Sequence, residues 1–191
     1  MAKKKLMVSS TVYGVEDLLE ELYDKLEDKY TVIMSHKGTV RNYSTNSCYK
    51  DCEEAVAACD LFLGIITPSY GSGTSKSEPS YSITHREMLL ARDLNKTRFF
   101  MVNEKVVFAS NFLNEMQLDI EKLQTDGFKL KNLAHLSVIQ MYRDILDKNQ
   151  PPIYHLDTYI RFKDNLIIPI KLRNIMIDVI LLIILMCSIA I

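Results

Sequence analysis

The sequence predicts one α/β domain over residues 4–161, with an open, mainly parallel sheet and helices on both of its faces. Short apolar runs of strand length alternate along the chain with longer segments whose apolar residues recur at helical spacing. The short runs are almost continuously apolar, which is typical of parallel strands that are buried on both sides. This order of elements favours right-handed βαβ units.

The first half of the predicted domain contains three strands and two helices. Strands are predicted at residues 5–10, 30–34 and 61–66. Between the first two, apolar residues at helical spacing indicate an amphipathic helix: Val15, Leu18, Leu19, Leu22 and Leu26. Residues 35–47 are predicted to form a loop, and residues 48–59 a second helix.

The second half begins with a loop over residues 67–80, whose Gly, Pro and Ser content marks a surface segment. A helix is predicted over residues 83–94, where Thr84 and Glu87 have the spacing of a capping box. The fourth strand is predicted at residues 98–102. Helices follow at 106–123 and 133–146, and a last strand lies near residues 154–162.

Three of the four cysteines have a spacing that suits either of two roles. Cys48, Cys52 and Cys59 could ligate a metal ion. With Ala55 and Val56, however, they form one apolar stripe of a helix, and no histidine lies nearby in the sequence. We therefore predict core packing for these cysteines and no metal site.

Charge and length limit the function classes. The chain has 191 residues, 23 basic and 24 acidic, with a formal net charge of −1. It is long enough for one domain with a core of its own, and the charge balance gives no reason to expect a nucleic-acid partner. The N-terminal residues lead directly into a strand rather than a secretory signal, so we expect a reducing, cytoplasmic location.

The C-terminal segment, residues 175–191, is apolar except for Asp178 and Ser188. Residues 162–174 are predicted to link it to the domain. Its length is at the lower limit for a membrane span, and Lys171 and Arg173 would keep the domain in the cytoplasm. Three alternatives are open: a membrane anchor, a buried or subunit-contact helix, and a truncated or frameshifted end.

Polar residues are predicted to meet at the carboxyl ends of the strands, where open parallel sheets bind ligands. They follow the first strand, follow the third strand, or lie around the start of the next helix: Ser9, Ser10, Thr11, Tyr13, Gly14, Thr67, Ser69, Tyr70, Gly71, Thr84 and His85. Such hydroxyl groups can hold a phosphate or a ribose, or they can only cap a helix. Tyr81 could stack on a base.

Glu87 is the candidate catalytic residue. A lone carboxylate at this place can stabilise developing positive charge on a sugar ring or attack its anomeric carbon. Its alternative role is to close the capping box with Thr84. His85 and Arg86 could each contact a phosphate, but adjacent residues of a helix point in different directions, so both cannot.

Three motifs, in order, resemble the bacterial domain-of-unknown-function 4062 family: KKLMVSSTVYG, CDLFLGIITPSYG and SITHREMLLA. Members of that family begin with a strand ending in SST and continue with a YG turn and a THxE helix. The resemblance covers residues 4–102 well and later segments loosely. The family is similar in fold to TIR domains and nucleoside 2-deoxyribosyltransferases, which implies a flavodoxin-like or TIR-like sheet, and it often occurs in defence or signalling proteins.

The resemblance also implies an activity. Glu87 matches the glutamate that acts on the N-glycosidic bond of NAD or a nucleoside, and residues 9–11 with Tyr70 and Gly71 would line the nucleotide pocket. We therefore expect a nucleotide-processing effector of an antiphage defence or signalling system, with NAD or another nucleotide as substrate or ligand and no tightly bound cofactor. Self-association or a partner protein would complete the site of this effector. The alternative is a non-catalytic module that senses a nucleotide or binds a protein.

Overall fold

A computed structural model of the protein describes residues 2–40, 48–71, 81–130 and 134–146, together with the backbone of 153–155. These residues belong to the first of two units into which the chain divides, Met1–Leu156. The predicted linker and apolar segment, residues 162–174 and 175–191, lie outside the described residues, as does the predicted boundary at 161. Within the described part, no helix has both the length and the apolar character needed to cross a membrane.

The described residues form alternating strands and helices, and the predicted fold class is confirmed. The strands are β1 (Lys5–Ser10), β2 (Thr31–Ile33), β3 (Leu61–Ile66), β4 (Thr97–Val102) and β5 (Ile153–His155). The helices are α1 (Glu16–Leu26), α2 (Cys48–Ala58), α3 (Ile83–Asp93), α4 (Glu104–Glu115), α5 (Ile120–Thr125) and α6 (Leu136–Ile145), with a short 3-10 helix at Ser35–Lys37.

The described strands form one parallel sheet in the order β2-β1-β3-β4-β5. The chain crosses from β1 to β2 in one direction and makes its later crossovers in the other. Right-handed crossovers therefore put α1 on one face and α2, α3 and the α4–α6 segment on the opposite face. The strand order reverses between β1 and β3, so a crevice for a ligand is expected at the carboxyl ends of these two strands.

Packing between β3 and β4 depends on a glycine in the middle of the sheet. Gly64 pairs with Phe100 across the two strands. A Cβ atom on Gly64 would lie 2.5 Å from the Phe100 ring, closer than carbon atoms can approach without moving. The ring is fully buried and also packs against Phe62, with centroids 6.3 Å apart. The absence of a side chain at Gly64 thus lets an aromatic residue fill the core.

Two of the three cysteines of the α2 region, Cys52 and Cys59, lie in the core, as their spacing predicts. Cys52 and Cys59 are free thiols, and both are buried. Burial raises the pKa of the Cys59 thiol. Among the described residues, no group of side chains is arranged to hold a metal ion. The side chain of Cys48 lies outside the described part.

The predicted helix over residues 106–123 is wrong as a single element, because two helices occupy this region. Helix α4 ends at Glu115, and Gln117 then has φ +54°, which a continuous helix cannot accommodate. Asp119 starts α5 by accepting hydrogen bonds from the backbone N–H groups of Glu121 and Lys122. Periodicity of apolar residues continues through this break, so it gives no sign of the interruption.

Candidate functional site

Helix α3 begins near the switch point of the sheet, the place between β1 and β3 where the strand order reverses. Its N-terminal cap differs from the one that the sequence predicts. Ser82 is the N-cap, and its Oγ accepts a hydrogen bond of 3.2 Å from the backbone N–H of His85. Glu87 is then the fifth helical residue, too far along the helix to bond back to the cap. The predicted capping box of Thr84 and Glu87 is therefore wrong, and the Glu87 side chain has another partner.

Glu87 is a buried carboxyl group facing the end of β1. Its Oε2 accepts a hydrogen bond of 2.5 Å from Oγ of Ser9, and the Cys52 thiol is a second hydrogen-bonding group. Only 5% of Glu87 is exposed. Loss of water around the carboxylate raises the pKa of Glu87, and the hydrogen bonds from Ser9 and Cys52 offset this only in part. Neither partner carries a positive charge that would compensate the ionised form.

The residues that follow β1 and β3 are joined by a hydrogen bond between two hydroxyl groups. The hydroxyl oxygens of Thr11 and Thr67 lie 2.6 Å apart, and both residues are buried. Gly71 packs against Thr11 with φ +40°. A Cβ atom on Gly71 would lie 2.8 Å from Cγ2 of Thr11 and 3.8 Å from Oγ1 of Thr84. The glycine of the YG turn therefore allows a close approach of backbone to the β1 loop.

His85 lies on another side of α3 and connects that helix to α6. Its Nδ1 is 2.8 Å from the Tyr70 hydroxyl, and its Nε2 is 3.1 Å from Oδ2 of Asp144. The backbone N–H of Ser82 donates to the Tyr70 oxygen at 3.1 Å. Burial raises the pKa of Tyr70, so the phenol keeps its proton. All these contacts are satisfied when Tyr70 donates to Nδ1 and Nε2–H donates to Asp144.

This network borders a cavity of about 850 Å³ between the β3–α3 connection and the α5–α6 region. Two pairs of aromatic rings form part of its wall. The rings of Tyr81 and His85 meet edge to face, with centroids 4.5 Å apart. The rings of Tyr70 and His135 are nearly parallel, with centroids 6.4 Å apart and an interplanar angle of 13°. The volume and aromatic lining are those of a small-molecule site.

The structure divides the predicted site residues into two groups on different sides of α3. One group lies at the ends of β1 and β3 and the start of α3: Ser9, which bonds Glu87, and Thr11, Thr67, Gly71 and Thr84. The other borders the cavity: Tyr70, Tyr81 and His85. Residues of a helix are about 100° apart in direction, so His85 and Glu87 point to different sides. Arg86 turns to Glu53, at 2.9 Å, which agrees with the expected divergence of His85 and Arg86.

In the described part of the structure, three predicted residues neither bond Glu87 nor line the cavity. The side chain of Tyr13 is directed to solvent, since 68% of the residue is exposed. The Ser10 hydroxyl donates to the carbonyl oxygen of Thr11. Ser69 is exposed and contacts Thr67 through its backbone. These residues shape the loops rather than line the two sites.

Sequence reasoning missed four residues of these sites: Cys52, His135, Gln140 and Asp144. The thiol of Cys52 is buried as predicted but also bonds Glu87. Gln140 and Asp144 are joined by a 2.7 Å hydrogen bond, and their spacing of four places them on one face of the predicted helix. That spacing is the signal that could have indicated a polar face on α6. His135 lies within the predicted helix but directly before the observed α6, and it has no such signal.

The doubly wound parallel sheet makes this an α/β protein. Polar groups lie where its strand order reverses, so the carboxyl edge of the sheet is its candidate ligand site. The family model described as Domain of unknown function (DUF4062) matches residues 5–149. The chain belongs to this family, as its three motifs indicate. No curated protein matches the sequence.

Proposed function

We propose that the protein binds NAD or a related nucleotide at the carboxyl edge of β1 and β3 and cleaves its N-glycosidic bond with Glu87. The hydrogen-bonded pair of Ser9 and Glu87 carries this proposal. It sets a carboxyl group at the place where doubly wound sheets bind nucleotides. The family resemblance to TIR domains and nucleoside 2-deoxyribosyltransferases, which use a glutamate on the same kind of bond, supports the choice of reaction.

The chemistry requires one carboxylate and a good leaving group. An ionised oxygen of Glu87 attacks the anomeric carbon of the ribose, and the C–N bond breaks with its electron pair going to the base, which leaves neutral when the substrate is NAD. Water then hydrolyses the glycosyl ester and regenerates the carboxylate. Ser9 positions the carboxylate through its hydroxyl. Burial strengthens the interaction of the carboxylate with developing positive charge.

The direct test is release of nicotinamide from NAD, or of free base from a nucleotide, by purified wild-type protein and by Glu87→Gln. Turnover should fall by about 10²-fold or more, the scale of a lost catalytic carboxylate, without a lower melting temperature. Glu115→Gln is the matched control, because Glu115 is exposed, and it should keep full activity. Equal turnover in Glu87→Gln and wild type would refute the role of Glu87.

The pH dependence gives an independent check. The attacking group must be ionised, and burial raises the pKa of Glu87. The value of kcat/KM should therefore rise with pH through an apparent pKa above the ordinary glutamate value of 4.5. Ser9→Ala removes a hydrogen bond that stabilises the ionised form, so it should move this limb of the profile to higher pH.

A second candidate function is a non-catalytic module that senses a nucleotide or binds a protein. The observation that favours it is the closed environment of Glu87, which is 5% exposed. Attack on a sugar requires the residues over the carboxyl group to move aside, whereas a structural carboxyl group does not. Nucleotide binding without turnover, in wild type and Glu87→Gln alike, would select this function.

The cellular setting belongs to the same proposal. We infer an effector of a bacterial defence or signalling system that acts in the cytoplasm, completes its site by self-association or with a partner protein, and contacts a membrane through residues 175–191. Removal of the chain from Asn174 onward should release the protein from the membrane fraction. A full-length protein that is already soluble and monomeric would exclude the membrane contact and the self-association.

A further inference from the structure

The cavity on the α6 side of α3 has the features of a separate ligand site, beyond the carboxyl group used for cleavage. We propose that it binds a small planar nitrogen heterocycle that carries an amide or amino group. The ring would lie against the aromatic wall, and its N–H groups would face the carboxylates of α5 and α6. The inference does not depend on cleavage by Glu87, which lies on another side of α3.

The aromatic wall selects for a flat ring. The rings of Tyr70 and His135 are close to parallel, and His135 is exposed at the start of α6, so the face of its ring is accessible. Tyr81 borders the same cavity. Aromatic rings attract one another when they are offset-stacked or edge to face with centroids about 4.5–7 Å apart. A planar heterocycle can adopt such contacts with these rings at once, while an aliphatic ligand of equal size cannot.

The polar part of the cavity selects for hydrogen-bond donors. Oδ2 of Asp144 accepts from His85, and Oδ1 accepts from Gln140 at 2.7 Å. A carboxylate has about four acceptor sites, so Asp144 can accept from a ligand as well. Glu121 adds a second carboxylate to the described lining, and Lys129 adds one ammonium group. Among the described lining residues, carboxylates outnumber ammonium groups by two to one, which favours N–H donors and opposes an anionic ligand.

These groups are held in place before a ligand arrives. Nη1 of Arg92 donates a hydrogen bond of 2.6 Å to the carbonyl oxygen of Asp144, which joins α3 to α6. The backbone N–H of His135 donates to the carbonyl oxygen of Pro68 at 3.1 Å, which joins α6 to the β3–α3 connection. His85, of which 1% is exposed, fixes the carboxylate of Asp144. A site ordered in this way loses little conformational freedom on binding.

The test compares nicotinamide with nicotinate, which have the same ring and differ in an amide against an anionic carboxylate. A ligand-observed NMR titration of the full chain should show nicotinamide binding at least about tenfold more tightly than nicotinate. Asp144→Asn keeps the shape of the side chain and removes its charge, so it should reduce this discrimination by several-fold. Equal binding of the two probes to wild type, or binding of neither, would overturn the proposal.

The location is tested with two substitutions of one exposed side chain. His135→Ala removes a ring of the wall and should weaken nicotinamide binding by about tenfold, the scale of a lost base–aromatic stack. His135→Phe restores a ring and should restore most of the affinity. Unchanged affinity in His135→Ala would mean that the ligand binds elsewhere, including beside Glu87 as a reaction product, and would refute the site.

NAD turnover and nicotinamide binding, both measured on wild type and on the His135 and Asp144 variants, separate this inference from the proposed function. If no NAD is cleaved but the binding pattern of the His135 and Asp144 variants holds, the cleavage proposal fails and the cavity site stands. If NAD is cleaved but these variants bind nicotinamide like wild type, the cavity site fails and the cleavage proposal stands.

Discussion

Helix α3 separates two polar regions that differ in almost every physical respect. On the β1 side, Glu87 is enclosed and held by Ser9 and Cys52, neither of which is charged. On the α6 side, His85 connects Tyr70 with Asp144 at the wall of a large cavity. The first region holds one buried ionisable group, whereas the second offers space, rings and acceptors.

The difference teaches that a ligand and a reactive group need not be sought in the same cavity. Glu87 has no cationic partner among the described residues. A buried carboxyl group of this kind is costly to ionise, so it can hold a proton that a reaction uses. This carboxyl group is closed to solvent, since 5% of Glu87 is exposed. The cavity beside His85 has room for a ligand, and its polar groups are already paired.

The largest expected effect concerns the proton on Glu87. The folded-state pKa of Glu87 is raised above 4.5, so the native state keeps a proton that the unfolded chain releases. This contribution to stability is present below pH 4.5 and is lost as the pH rises through the folded-state pKa. The slope for one such proton is at most about 1.4 kcal/mol per pH unit. Glutamine does not titrate, so Glu87→Gln should gain stability relative to wild type as the pH rises.

Urea unfolding of both proteins between pH 4.5 and 8 measures this effect. Glu115→Gln serves as the control, because it also removes one carboxylate, but an exposed one. Its stability should stay parallel to that of wild type over the whole range. Parallel curves for Glu87→Gln and wild type would mean that water reaches the carboxyl group and that the contrast between the two regions is false.

A smaller effect tests how tightly the Glu87 side is closed. Gly71→Ala meets both an unfavourable backbone angle and the Thr11 side chain at 2.8 Å, whereas Gly127→Ala has φ +71° and nothing within 4 Å. Strain from an added methyl group in a packed place costs about 1–3 kcal/mol. Gly71→Ala should therefore be the more destabilising change in thermal unfolding. If the two variants lose equal stability, the loop after β3 does not pack against β1 as described.

The fold class could be predicted from the sequence, because strands and helices alternate and each has a clear periodicity of apolar residues. The predicted strand at Leu61–Ile66 agrees with the structure at both ends, and α3 begins at Ile83 as predicted. Periodicity failed after residue 115, where the break depends on the single residue Gln117 and on the capping of α5 by Asp119. Such a break is a local backbone event, and the apolar pattern is insensitive to it.

The Glu87 side of the candidate site could be predicted from the sequence, whereas the α6 residues of the cavity side could not. Ser9 and Glu87 are 78 positions apart, but Ser9 lies at the end of β1 and Glu87 in the first half of α3, which the topology brings together, so the switch-point rule could select them. Asp144 is 59 positions from His85 and lies within a helix, where no rule of topology points to it. Its role depends on how α6 packs against α3, which follows from side-chain fit and not from the order of elements.

The smallest expected effect is on the cavity side, where the loss of one tyrosine hydroxyl group is compared with the same loss at an exposed tyrosine. Tyr70→Phe removes an oxygen that contacts His85 at 2.8 Å and accepts from Ser82 at 3.1 Å. A buried hydrogen bond of this kind contributes about 0.5–1.5 kcal/mol. Tyr13→Phe removes the same group from a residue that is 68% exposed and should change the stability by less than about 0.5 kcal/mol. The free energy of unfolding in urea separates the two variants. Equal values would show that the Tyr70 hydroxyl is exchanged freely for water, and the cavity would then lack the fixed polar wall that distinguishes it from the Glu87 side.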